Sequence, residues 1–177
     1  AYLTGGGTST SGIVAAGGPP NTAKTETWDG TSWTEENDLN TAKSYRSFFG
    51  GSASQTASVC VGGENPQVDI SETWNGSSWS EGNNLNTARG ASGGSGTSTN
   101  GMIFGGQYDS GYYAKTEVYN GTSYTEIGDL STVNGYTVPA NNSGNLLALA
   151  AGGFTPSVTT ATEEFVVSAA ISTVTTS

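Results

Sequence analysis

The chain has 177 residues, with five Lys and Arg against fifteen Asp and Glu, no histidine, one cysteine and 27 glycines. A net charge of −10 leaves no clustered basic surface for a phosphate backbone or an anionic bilayer, so neither nucleic acid nor membrane insertion is expected among its partners. The missing histidine removes the usual general base, the imidazole metal ligand and any Ser-His or Cys-His pair, and no run nears the roughly 20 apolar residues of a membrane span.

The opening AYLTGGG has no basic stretch and is expected to be a processed or excised start. Gly5 and Gly6 close a first short strand, and GIVAAGG, ending at Gly17 and Gly18, reads as a second, buried one. The loop PPNTAK leads to a strand TETW, the turn Asp29-Gly30 marks a hairpin, and its partner strand begins at Trp33. The same order returns with Gly50 and Gly51, SVCVGG, the loop ENPQVDI, SETW, Asn75-Gly76 and Trp79. It returns again with Gly93 and Gly94, MIFGG, the loop QYDSGYYA, TEVY, Asn120-Gly121 and Tyr124. A fourth unit keeps LLALAAGG, the loop TPSVTTA and TEEF, but has Pro139 and Ala140 at the first glycine pair and no second aromatic. Cys60, inside SVCVGG, is expected as a buried strand residue without a disulfide.

Trp28, Trp74, Tyr119 and Phe165 are thus 46, 45 and 46 residues apart, and the two glycine pairs of each of the first three units are 12 residues apart. Four short antiparallel strands per repeat predict one propeller blade, because a single unit cannot bury its own face and needs stacked neighbours. The expected fold is all-β, a single domain over 1–177 with blades at 1–38, 39–84, 85–129 and 130–177, closed as a four-bladed ring or part of a larger or oligomeric one.

A diglycine ending the second strand, an aromatic about a dozen residues on and a second aromatic soon after it resemble the kelch repeat, over nearly the whole chain. The hairpin is tighter than is usual for kelch, since its aromatics stand five residues apart. Runs of TETWNGSSW-like repeats are also similar to those of large phage structural proteins and secreted bacterial proteins. The copper oxidase chemistry found on a kelch-type propeller needs histidines, so the resemblance does not carry that activity here, and no cofactor or metal is expected.

Glu26, Glu72, Glu117 and Glu163 recur once per unit, which points to a structural role, and Lys43 and Arg89, at matching places after LNTA, are the expected partners. Asn134 takes that position in the last unit. The loops before the TETW strands differ while the frame repeats, so binding is expected there. Tyr108, Asp109, Tyr112 and Tyr113, with Glu64 and Asp69 of the preceding loop, are the candidate ligand contacts: tyrosines offer flat apolar faces and carboxylates accept hydroxyl hydrogens. Phe165, Ile171 and Val174 of the altered last unit are candidate assembly contacts. The expected function is a non-enzymatic structural or binding module of an extracellular or virion-surface assembly, such as capsid decoration, a fibre or an adhesion domain. Its expected partners are other protein subunits and surface glycans or receptors. The alternatives are a secreted glycan-active enzyme using paired carboxylates and a kelch-type protein-interaction adaptor.

Overall fold

The structure is a computed structural model, and it describes residues 2–50, 54–109, 111–140, 147–155, 157–158, 160 and 162–166. Every regular element among them is a strand. The first unit folds as β1 (Thr4–Thr8), β2 (Ser11–Ala15), β3 (Thr25–Trp28) and β4 (Trp33–Glu35). The second holds β5 (Ser47–Phe49), β6 (Ser58–Val61), β7 (Ser71–Trp74) and β8 (Trp79–Glu81). The third has β9 (Gly93–Thr97) and β10 (Asn100–Phe104), a ribbon of β11 (Gln107–Tyr108) and β12 (Gly111–Tyr112), then β13 (Thr116–Tyr119) and β14 (Tyr124–Ile127). The fourth has β15 (Val138–Ala140), β16 (Leu147–Ala151), a ribbon of β17 (Phe154–Thr155) and β18 (Ser157–Val158), and β19 (Thr162–Val166). Leaving the ribbons aside, the first three units are four-stranded antiparallel sheets paired in chain order, and the fourth pairs β15, β16 and β19.

The repeated aromatics face each other across the hairpins: Trp28 pairs with Trp33, Trp74 with Trp79 and Tyr119 with Tyr124. Their rings meet at 5.4, 5.3 and 4.6 Å, the contact expected of cross-strand neighbours. The turns differ from the two-residue Asx-Gly hairpin that the sequence suggested. Four residues, 29–32, form the loop, and only Gly30 has positive φ. Asp29 instead accepts the Thr31 and Ser32 N–H groups, both at 2.8 Å, on one carboxylate oxygen, an Asx turn that Asn75 and Asn120 repeat.

The glycine pairs are not structurally equivalent either. Pairing aligns Ala15, Val61, Phe104 and Ala151, so Ala16, Gly62, Gly105 and Gly152 share one backbone position, with φ of 60, 64, 65 and 60°. Gly17 and Gly18 are therefore one residue out of step with Gly62 and Gly63, and Ala16 occupies the left-handed position. Gly5 and Gly6 lie inside β1, whereas Gly50 follows β5. The buried strand face sets the register, because a slip of one residue would turn every side chain to the other side.

The core lies in the seams between successive sheets. Ile13, Ala15, Leu39, Phe48, Cys60, Trp74 and Trp79 fill the first seam. Phe49, Val59, Leu85, Ile103 and Tyr119 fill the second, and Met102, Phe104, Leu130 and Ala150 the third. Cys60 is fully buried, and desolvation pushes its thiol up to about 11, as its apolar run suggested.

Each seam is crossed by a connector beginning Leu-Asn or Leu-Ser. Leu39, Leu85 and Leu130 donate backbone N–H to Ala23, Asp69 and Ala114, in the loop before the third main strand of the unit just completed. The next residue turns to the sheet about to form: Asn40 donates from its backbone (2.7 Å) and its amide (3.0 Å) to Glu72 Oε2, and Asn86 does the same to Glu117 at 2.8 and 2.9 Å. In the fourth unit the Ser131 N–H donates to Glu163 at 2.7 Å.

A buried guanidinium completes the site. Arg89 pairs with Glu117 as expected, and also donates to the carbonyls of Gly105 (3.0 Å) and Lys115 (2.7 Å). Lys43 does not pair with Glu72. Arg46, three residues further on, does so at 2.7 Å and also donates to the Cys60 carbonyl at 3.0 Å, while Lys43 Nζ donates to the Pro66 carbonyl at 3.1 Å. The side chains of both ion pairs are wholly buried, so each carboxylate needs its cation and its N–H donors to offset the loss of water. Asn134, in place of a cation, donates to the Gly152 carbonyl at 2.6 Å.

Glu72→Gln and Arg46→Met are each expected to lower the unfolding free energy by about 3–5 kcal/mol in urea titration, because each leaves half of a buried pair uncompensated. Lys43→Met loses one hydrogen bond to a carbonyl and is expected to cost about 1 kcal/mol. A larger loss for Lys43→Met than for Arg46→Met would reverse the assignment.

Candidate ligand-binding face

Beyond the second strand of units two, three and four the chain makes one more bridge, Ser44 with Glu64, Gly90 with Gln107 and Gly135 with Phe154. These bridges put Glu64, Gln107 and Phe154 at the same place in their units, where the irregular loops begin. The residues after Ser44, Gly90 and Gly135 are Tyr45, Ala91 and Tyr136, which share a left-handed backbone with φ of 55, 51 and 56°. Ala91 N–H donates to the Tyr45 carbonyl at 2.8 Å and Tyr136 N–H to that of Ala91 at 2.7 Å, linking unit to unit.

One cavity of about 300 Å³ is lined by two residues from each unit: Tyr2 and Leu3, Tyr45 and Arg46, Ala91 and Ser92, Tyr136 and Thr137. Tyr2 stacks on Tyr45 at 3.9 Å, and Tyr136 meets Tyr45 edge-on at 5.8 Å. A second, open cavity of about 560 Å³ is lined by Gln107, Tyr112, Tyr136, Gly153, Phe154 and Val158. Tyr112 and Phe154 meet there at 5.8 Å with their planes 64° apart. Tyr112 lies across Gly135, where an added Cβ would come within 2.7 Å of its ring. Tyr136 contributes to both cavities.

The candidate ligand contacts are not one cluster. Tyr112 lines the open cavity, whereas Tyr108 stacks on Tyr113 at 4.4 Å, and the Arg89 guanidinium carbon sits 5.8 Å from the Tyr113 ring centre. Tyr113 therefore pads the buried ion pair of the third unit. Asp109 is tied to the preceding loop: with the Gln67 amide turned to suit, Gln67 donates to Asp109 Oδ1 and accepts from the Asp109 N–H, both at 3.1 Å. Asp69 contributes its backbone carbonyl, which accepts the Leu85 N–H at 2.8 Å. Glu64 is only 7% exposed and lies over Gly90. Phe165 pairs in register with Ala148, and Ile171 and Val174 lie outside the described residues.

Of the four recurring glutamates, Glu72 and Glu117 are consumed by their ion pairs and face no cleft. Glu64 Oε1 and Gln107 Oε1, by contrast, are buried with no hydrogen-bond partner among the described residues. Burial raises the Glu64 carboxyl above its ordinary range. It also raises the Tyr136 phenol, to which the negative charge of Glu64 adds. Tyr45 is raised by the same two causes together with its contacts to Tyr2 and Tyr136. The Gln107 side chain and the aromatic faces of Tyr112, Tyr136 and Phe154, which line one open cavity, suit a ligand that offers hydroxyl or amine groups and an apolar face.

No protein-family model matches the chain, and no curated protein does. Gln107, Tyr136 and Phe154 were absent from the sequence-derived set. A signal for Tyr136 existed, because Tyr45 and Tyr136 stand at matching distances after their connectors, with Ala91 between them. None existed for Phe154, which lies in the irregular loop of the most altered unit.

Glu64→Gln is expected to stabilise the protein at neutral pH. Below the carboxylate range Glu64 is protonated in both folded and unfolded states. As pH rises through its raised folded value the unfolded chain ionises more readily, so the native protein loses stability. The gain from Gln, read as a difference in Tm, should shrink towards zero on acidification below the ordinary carboxylate range. A gain independent of pH would mean that burial of the charge is not its source.

Proposed function

We propose that the chain is a kelch-like, four-bladed propeller module without catalytic activity that binds a hydroxyl-rich ligand, a surface glycan, in an extracellular or virion-surface assembly. The ring arrangement draws support from the cavity to which all four units contribute the same two positions, as blades around an axis would. The binding reading rests on the open cavity of about 560 Å³, within the range of roughly 300–1,000 Å³ usual for ligand sites. Tyr112 and Phe154 offer faces for the C–H side of a sugar ring, and the Gln107 side-chain amide offers hydrogen-bonding groups to its hydroxyls. These residues sit on the loops that differ between units, on a frame that repeats, the division expected when a scaffold is kept for binding. Glu72 and Glu117 are tied to arginines, which favours a binding role over hydrolysis by that series of carboxylates.

Glycan-array binding tests the reading. Tyr112→Ala and Phe154→Ala should each weaken a recognised glycan by about tenfold or more, the effect of losing about 1.4 kcal/mol at a stacking face. Tyr108→Ala, which alters the stack on Tyr113, should change it less. Absence of binding to any glycan by the wild-type chain would dispose of the reading.

A further inference from the structure

The first three units carry the same outer hairpin, yet the second lacks two side chains that the others place along it. Lys24, Ile70 and Lys115 share one position, since the carbonyl of each accepts an N–H from the residue that follows the second strand of its unit. Lys24 pairs with Glu35 at 2.5 Å and Lys115 with Glu126 at 2.8 Å. Glu81 stands where Glu35 and Glu126 do. With Ile70 in place of the lysine, it has no ion pair among the described residues.

The second missing side chain lies next to it. Glu36 and Gly82 donate their N–H groups to the carbonyls of Thr25 and Ser71 at 2.9 Å, and Ile127 pairs with Thr116, so Glu36, Gly82 and Ile127 are equivalent. Glu36 Oε1 accepts the Thr27 hydroxyl at 2.9 Å, and in the third unit Val118 and Ile127 take these two places and pack on the core. Thr73 has only a glycine there, and its hydroxyl donates instead to the Ser80 carbonyl at 3.3 Å. The backbone does not require that glycine. Its φ lies outside the left-handed region, and an added Cβ would meet nothing nearer than 3.8 Å.

A cavity of about 430 Å³ lies here, lined by Thr73, Glu81, Gly82 and Asn83 of the second unit with Tyr119 and Thr122 of the third. The Asn83 amide closes the seam by donating to the Thr122 carbonyl at 3.0 Å, as Asn37 does to Ser77 at 2.7 Å in the seam before. The frame is therefore alike in both seams, and the choice of side chains makes the space.

We propose that this cavity binds a neutral sugar unit. A carboxylate without a cation accepts hydroxyl hydrogens in charge-assisted bonds, the Thr73 and Thr122 hydroxyls can donate or accept, and Tyr119 supplies an aromatic wall. Glu81 and the net charge of −10 disfavour an anion. The cavity shares no lining residue with the one at Tyr112 and Phe154 and does not rest on the reading given to that one.

Titration of isotopically labelled protein with glucose, galactose, mannose and N-acetylglucosamine, followed by NMR, tests this. At least one sugar should move the amide signals of Gly82, Asn83, Gly121 and Thr122 to saturation. Gly82→Glu, which restores the pair that Glu36 makes with Thr27, should abolish the response while circular dichroism shows the fold retained. Glu81→Gln, at an exposed side chain, should fold normally and raise the dissociation constant about tenfold, the loss of a charge-assisted bond. Tyr112→Ala should leave the response unchanged, and its loss there would assign the signals to the other cavity and overturn the proposal. So would silence of these amides with every sugar, a response to ethanolamine alone, a full response in folded Gly82→Glu, or wild-type affinity in Glu81→Gln.

Discussion

Everything in this architecture depends on burying a carboxylate between neighbouring sheets without leaving it alone. Glu72 and Glu117 have no solvent contact, and an isolated charge in that position costs several kcal/mol. The connector N–H, the Asn amide and an arginine together remove that penalty, and they can do so only when the preceding sheet, the connector and the new sheet are all in place. Strands of three to five residues form weak sheets by themselves. The seams bring apolar burial and charge satisfaction together, which makes each unit dependent on its neighbours.

The clamp tolerates a change of donor while its charge is kept. Arg46 and Arg89 come from positions three residues apart in the repeat, yet each reaches a glutamate and a backbone carbonyl of the second strand or its end. A long side chain with a forked donor head can enter the same pocket from either side, whereas Lys43, with a single ammonium, settles on a loop carbonyl. In the fourth unit Asn134 replaces the cation and Glu163 is only half-buried, so less charge is hidden and less compensation is required.

The irregular loops use this frame differently from unit to unit. In the third unit they divide between support and exposure: Tyr113 covers the arginine with Tyr108 stacked on it, and Tyr112 turns to the open cavity. Glu64 and Gln107, at matching places beside Gly90, bring acceptors to the same region.

Period, strand identity and hairpin pairing were legible in the sequence, because they follow from local alternation and from aromatics five residues apart that must meet across a turn. The burial of Cys60 and the pairing of Arg89 with Glu117 were legible for the same reason, since the repeat carried their environment with it. Register within the glycine-rich strands was not, because glycine has no side chain to assign to a face, and a constant spacing of 12 disguised a one-residue shift at Ala16. Nor was the choice of Arg46 over Lys43, or the separation of Tyr112 from Tyr108 and Tyr113. Those depend on which backbone carbonyls and buried oxygens surround a side chain once the sheets have packed, and only the tertiary structure brings these groups together.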